Sequence, residues 1–161
     1  MYFNYNSFNR LNIFNQLFFF IITSLFLGEV LQFFLEYFYG KGIFKLDFTN
    51  YSSFLEIIFE VIILAPLIET FFIQFTIIEL LLKFFSRKKQ IHLYSIIISA
   101  SFFGILHQYN IAYIIATFVL GLWFGSIYIF YKKSKKINSF LALFLVHLVY
   151  NSINLIKDYY L

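Results

Sequence analysis

The chain has 161 residues, of which 61% are hydrophobic, 25% aromatic and only 12% charged, with a net charge of +4 and no cysteine. Soluble domains carry about 25% charged residues, and the apolar residues here fall in blocks of roughly 20. A water-soluble domain is therefore excluded, and an integral membrane protein built as one all-α, polytopic helical bundle is expected. The lack of cysteine excludes disulfides, thiolate metal sites and a cysteine nucleophile. The basic residues gather in two short loops, a pattern that sets membrane orientation and gives no reason to expect a nucleic-acid partner.

Residues 1–10 are polar and aromatic, with Asn4, Asn6, Asn9 and Arg10, and suit the membrane interface. The first span is predicted over residues 11–37. No cleavable signal peptide is expected, because only Arg10 precedes this run and the run is too long for an h-region. Within it, Glu36 is placed to reach the headgroups, and Glu29 reads as a hydrated or protonated carboxyl facing the bundle. Residues 40–53 form a short loop that contains Asp47.

The second apolar run, residues 54–85, is too long for one straight crossing at about 1.5 Å per residue. Pro66, the single proline, falls near its middle. It removes one backbone donor and in an α-helix frees the carbonyl of Ile62, so a kink or break just before Glu69 is expected. Glu56 and Glu60 read as interfacial, and Glu79 with Lys83 as an i, i+4 structural pair. After the basic loop at residues 86–90 come a third span over 91–107, a break at 108–110 and a fourth span over 111–131. The second basic loop, residues 132–136, leads into a fifth span over 137–156. About five crossings, one of them long and Pro-kinked, put both basic loops on one side. That side is expected to be cytoplasmic together with the N-terminus, in a membrane that is expected to be the bacterial cytoplasmic one. Gly121 and Gly125, and Ala100 and Gly104, are spaced for close helix packing. Residues 1–53 then form an N-terminal segment with one span and its loop, and residues 54–161 a core.

Three spans carry isolated polar groups at depth. A carboxylate inside an apolar run is costly and marks a functional site by default; Glu69 is that carboxylate. His107 lies four residues after Phe103, and Asn151 four residues after His147, so each pair shares a helix face. Counted from the basic loops at the helical rise, His147 lies roughly 15 Å deep, Asn151 roughly 20 Å, and Glu69 and His107 roughly 24 Å. Tilt and the Pro66 kink bring these depths together. Each residue alone is as readily an interhelical hydrogen-bonding group as a catalytic one; together they point to one cavity. No GxSxG segment supports a serine nucleophile, no HExxH helix is present, and Asp47 and Asp158, the only aspartates, lie outside the predicted spans, which rules out a buried aspartyl dyad. Carboxylate and imidazole acting on water remain.

These residues resemble the CAAX prenyl protease 2 and bacteriocin-processing (CPBP, or Abi) intramembrane endopeptidases. The EExxxR motif of that family aligns with Glu69–Gln74, FxxxH with Phe103–His107, and HxxxN with His147–Asn151. The resemblance spans residues 54–156. It implies peptide-bond hydrolysis within the membrane, with Glu69 and His107 activating water and His147 and Asn151 stabilising the oxyanion. It further implies a supporting role for Phe103, Thr70 and Gln74. Thr70 stands where the family has a second glutamate and Gln74 where it has arginine, so both charges are lost together. Metal-free water activation is the favoured expectation; the alternative is zinc on Glu69, His107 and His147, a His₂Glu set with an open fourth position. The expected partners are membrane lipids and a peptide or lipoprotein substrate, in peptide maturation or bacteriocin self-immunity. A non-catalytic immunity or scaffold protein on the same fold is the main alternative, and a proton or cation pathway through Glu69 and the histidines a weaker one.

Overall fold

A computed structural model describes residues 5–45 and 51–160. Asn4 and Asp47 lie outside the described residues. Six helices are present among them: α1 (Tyr5–Asn9), α2 (Ile13–Tyr39), α3 (Phe54–Phe84), α4 (Ile91–Leu106), α5 (Ile111–Ser134) and α6 (Ser139–Tyr160). Four of these, α2, α3, α5 and α6, are long and apolar enough to cross a membrane, and α4 is a shorter apolar helix. The all-helical bundle expected from sequence is what the chain forms.

The helix starts are set by local chemistry. Asn12 accepts from the Asn15 N–H at 2.8 Å, Ser53 from Glu56, and Asn110 from Tyr113 at 2.9 Å; each side chain satisfies an N–H that has no partner within its helix. Asn138 does the same for α6, accepting from Phe140 and Leu141. Gly40 ends α2 at a φ of 104°, a left-handed conformation that only glycine adopts without strain.

α5 is the central helix. It packs on α2, α4 and α6, and Phe124, Ile127, Tyr128 and Tyr131 on it are fully enclosed. The small residues at both expected packing pairs permit this. A Cβ on Gly121 would stand 3.0 Å from the Ala100 Cα, and one on Gly104 would stand 3.0 Å from the Ile114 carbonyl. α2 docks on α5 through the Trp123 indole N–H, which donates to Ser24 at 3.1 Å.

α3 is continuous through Pro66. Instead of breaking, its backbone stays right-handed and its hydrogen bonding widens to the i→i+5 register over Ile58–Leu64 and again over Thr70–Thr76. The Ala65 N–H, for example, donates to the Glu60 carbonyl. Such π segments are frequent at functional sites. The widening moves the stranded carbonyl from Ile62, the expected one, to Val61.

α4 has 16 residues and is about 24 Å long, short of the roughly 30 Å hydrocarbon core. It ends at Leu106, short of the length of a full crossing. The space beyond it is taken by the 107–110 turn, where the Asn110 amide donates to the Ile43 carbonyl at 2.9 Å and Phe44 packs on Tyr113.

Two charged groups differ from expectation. Glu79 is engaged across the bundle by Lys132 at 2.6 Å and by the Tyr128 hydroxyl, because the inward face of α3 points it at α5 and away from Lys83. Glu29 does not face the interior; it is exposed and paired with Lys157 at 2.6 Å. Lys136 donates to the Leu11 carbonyl, so the start of α2 lies beside the second basic loop. Nine of the twelve cations fall at that end of the bundle.

Because Gly121 touches the Ala100 backbone, Gly121→Val is expected to lower stability by about 1–3 kcal/mol through overpacking. Thermal unfolding in detergent micelles reads this, and an unchanged midpoint would show that the α4–α5 contact yields easily.

Candidate active site

Glu69, His107 and His147 come from three helices that meet at one point. Oε1 of Glu69 lies 3.6 Å from His107 Nε2, and Oε2 lies 3.5 Å from His147 Nε2. Their side chains are 21%, 16% and 4% exposed respectively. The convergence of depths expected from sequence arises because α4 ends there: His107 caps the short helix at the level of the middle of α3.

Each imidazole is aimed by its other nitrogen. His107 Nδ1 donates to the Phe103 carbonyl at 2.7 Å, which turns the Nε2 lone pair toward Glu69. His147 Nδ1 lies 3.4 Å from the Thr70 hydroxyl. A carboxylate oxygen has no proton to give, so Nε2 of His147 carries the hydrogen and Nδ1 accepts from Thr70. Phe103 packs against both rings, at centroid distances of 4.6 Å to His107 and 6.0 Å to His147. Tyr113 stacks on the outer face of His107, and Phe124 lies 4.8 Å from the His147 ring.

Gln74 is held one turn beyond Thr70. Its Oε1 accepts from the Ser99 hydroxyl at 2.9 Å, a hydrogen shared with the Ile73 carbonyl at 3.0 Å, and its amide lies 3.5 Å from the Gly121 carbonyl. Thr70 and Gln74 are both completely enclosed. Asn151 sits one turn after His147 and donates from Nδ2 to the Val61 carbonyl at 3.0 Å. Sequence reasoning did not identify Ser99, Tyr113 or Phe124. Ser99 was accessible from its spacing, four residues before Phe103 on the same face of α4, whereas nothing in the local sequence ties Tyr113 or Phe124 to the histidines.

The three residues line a cavity of about 570 Å³ bounded by α2, α3, α5 and α6. It runs from Glu69 toward the end of the bundle opposite the basic loops, past Asn151, Glu60, Tyr51, Lys45 and Asp158. Asp158 lies within α6 and lines the cavity mouth, closer to the bundle than expected. No second described aspartate joins it, so the exclusion of an aspartyl dyad stands among the described residues. Among those residues no three His, Cys, Asp or Glu side chains are grouped to hold a metal ion. The two ring nitrogens face different oxygens of Glu69.

A membrane helical bundle with a carboxylate between two imidazoles at a cavity of about 570 Å³ is the class of architecture that the chain forms. The model of the Type II CAAX prenyl endopeptidase Rce1-like family matches residues 51–153, and the chain belongs to that family. The family is one of intramembrane proteases. Comparison with curated proteins and with solved structures gives no match.

The Ser99–Gln74 contact yields a measurable coupling. Ser99→Ala leaves Gln74 Oε1 buried without a donor, and a loss of about 1–3 kcal/mol is expected. In a Gln74→Leu background the same change is expected to cost much less, read by a double-mutant cycle on thermal unfolding; equal costs in both backgrounds would refute the contact.

Proposed function

We propose that this protein is an integral membrane endopeptidase that hydrolyses a peptide bond of a membrane-associated peptide or lipoprotein with a water molecule activated by Glu69 and His107. The observation that carries the reading is the placement of Glu69 between two imidazoles on separate helices at the wall of a 570 Å³ cavity. Oε1 of Glu69 and the Nε2 lone pair of His107 are both acceptors, and 3.6 Å is too long for a direct bond between them. A water that donates one O–H to each is held with its own lone pair free to attack.

As the water oxygen bonds to the substrate carbonyl carbon, its proton passes to Glu69. The carbonyl oxygen becomes an oxyanion, which the Nε2–H of His147 stabilises; removal of such a donor costs about 3–4 kcal/mol in barrier. When the C–N bond breaks, the proton held by Glu69 is delivered to the leaving nitrogen. Thr70 keeps His147 in the tautomer that can donate, a task a second carboxylate at this position would not perform in the same way, since it would accept from Nδ1. Gln74 and Ser99 form a neutral, satisfied replacement for the charged pair the family motif carries. Of the two Nδ2 hydrogens of Asn151, one goes to the Val61 carbonyl, so the oxyanion role expected of this residue falls to the other.

The core comprises residues 54–161, with α2 of the 1–53 segment as an added cavity wall through Gly28, Leu31 and Gln32. With the basic end cytoplasmic, the cavity opens toward the outer face, and substrate reaches Glu69 from that side. Maturation of a small peptide, or self-immunity against one, fits a cavity of this size.

Glu69→Gln, His107→Ala and His147→Ala are each expected to lower cleavage of a membrane peptide by about 10³-fold or more while the protein still inserts. Retained cleavage in Glu69→Gln would rule out the mechanism; a biological effect that persists without cleavage would favour a scaffold role. Activity is expected to survive dialysis against a strong chelator. Loss of activity on chelation with recovery on zinc addition would move Glu69, His107 and His147 to the role of ligands.

A further inference from the structure

The π register of α3 has a consequence at Val61. In an α-helix its carbonyl would accept from Ala65, but the Ala65 N–H is committed to Glu60. In the wider register the next donor in line is residue 66, and Pro66 has no N–H. Both backbone partners of Val61 are therefore lost. Val61 and Asn151 both line the cavity, where a carbonyl that has lost both backbone donors needs another partner. The Asn151 amide lies 3.0 Å from this oxygen and donates to it from a different helix.

We propose that Asn151 is a positioning residue: its side chain supplies the hydrogen that Pro66 cannot, and so pins α6 to α3 two helical turns before Glu69. The contact acts on the candidate site from both sides. Asn151 is one turn after His147 on α6, and Val61 belongs to the π segment that runs into the Pro66–Glu69 turn. Locking these two points fixes the separation of Glu69 and His147, whose facing atoms lie 3.5 Å apart. Without the lock, α3 regains an α register by rotating its Val61–Ala65 turn, and Glu69 turns with it. One of the two Nδ2 hydrogens of Asn151 is thereby committed to the backbone.

The test is a double-mutant cycle between Pro66 and Asn151 on the full chain in detergent micelles. Asn151→Leu, which keeps the volume and removes the donor, is expected to lower Tm by about 3–6 °C. In a Pro66→Ala background the Val61 carbonyl again has a backbone donor in either register, so the same substitution is expected to shift Tm by less than half as much. Equal shifts in the two backgrounds would overturn the proposal. Should Pro66→Ala fail to fold, Asn151→Asp decides: with an acceptor facing the carbonyl, it is expected to lower Tm at least as far as Asn151→Leu, and a parental Tm would overturn the proposal. The kinetic arm alone rests on the endopeptidase reading. There, Asn151→Leu is expected to reduce kcat by about 10²-fold with KM unchanged, the signature of a misplaced reacting group. A smaller kcat loss from Asn151→Leu in the Pro66→Ala background supports positioning. Recovered Tm with an undiminished kcat loss would return Asn151 to the oxyanion role. If no variant or parent cleaves peptide at all, the endopeptidase reading fails while the Tm coupling still decides the role of Asn151.

Discussion

A carboxylate in the middle of an apolar helix has no solvent to fall back on, and the rest of this bundle is arranged around supplying partners to Glu69. Both of its oxygens face ring nitrogens, each from a different helix. Each ring in turn is held by a second contact, to the Phe103 carbonyl or to the Thr70 hydroxyl. Burying an ionisable group this deeply is tolerable only when such partners are fixed in advance. The three helices that bear the triad therefore cannot slide past one another without exposing a polar atom to lipid. The close α4–α5 contact at Gly121 and Gly104 and the cross-bundle Glu79–Lys132 pair hold the register from outside the site.

Two irregularities open space for chemistry in an otherwise packed bundle. α4 is one turn or more too short to span the hydrocarbon core, and its early end leaves His107 beside a cavity instead of at an interface. α3 is overlong but widened into π register on both sides of Pro66. A short helix makes room and a widened helix turns its carboxylate into that room. Asparagines serve the backbone beside both features: Asn110 caps α5 and ties down Ile43 just beyond the end of α4, and Asn151 answers Val61. Polar side chains at these two places do for the backbone what water does in a soluble protein.

The spans, their order and the shared side of the two basic loops were legible in the sequence because they rest on block hydrophobicity and charge, which are local properties. The grouping of Glu69, His107 and His147 was legible because they are isolated polar groups in apolar runs, and isolation in such a run is itself the signal. Partner choice was not. The i, i+4 spacing of Glu79 and Lys83 predicts a local pair, yet the carboxylate meets Lys132, 53 residues on, since helix rotation within the bundle decides which way a side chain points. The same limit applied to Pro66. Its presence foretold a disturbed helix, but the choice between a break and a π register depends on whether another helix can answer the stranded carbonyl. That donor, Asn151, is 90 residues away from Val61.

Thr70 and Gln74 show how far a motif can drift while its geometry persists. Where the family motif carries a glutamate and an arginine, this chain has two neutral side chains, both fully enclosed. Replacing only one member of a buried ion pair leaves an uncompensated charge and is strongly destabilising, whereas replacing both is often neutral. The neutral pair is not an empty substitution, because each member has found a new partner: the His147 ring for Thr70, and Ser99 for Gln74. Ser99 is thus a partner of the altered motif although it lies on another helix, and its hydroxyl reaches Gln74 across the α3–α4 contact. The placement of Glu69 between the imidazoles does not require the charges that the motif has lost; it requires that every atom they once satisfied has another partner.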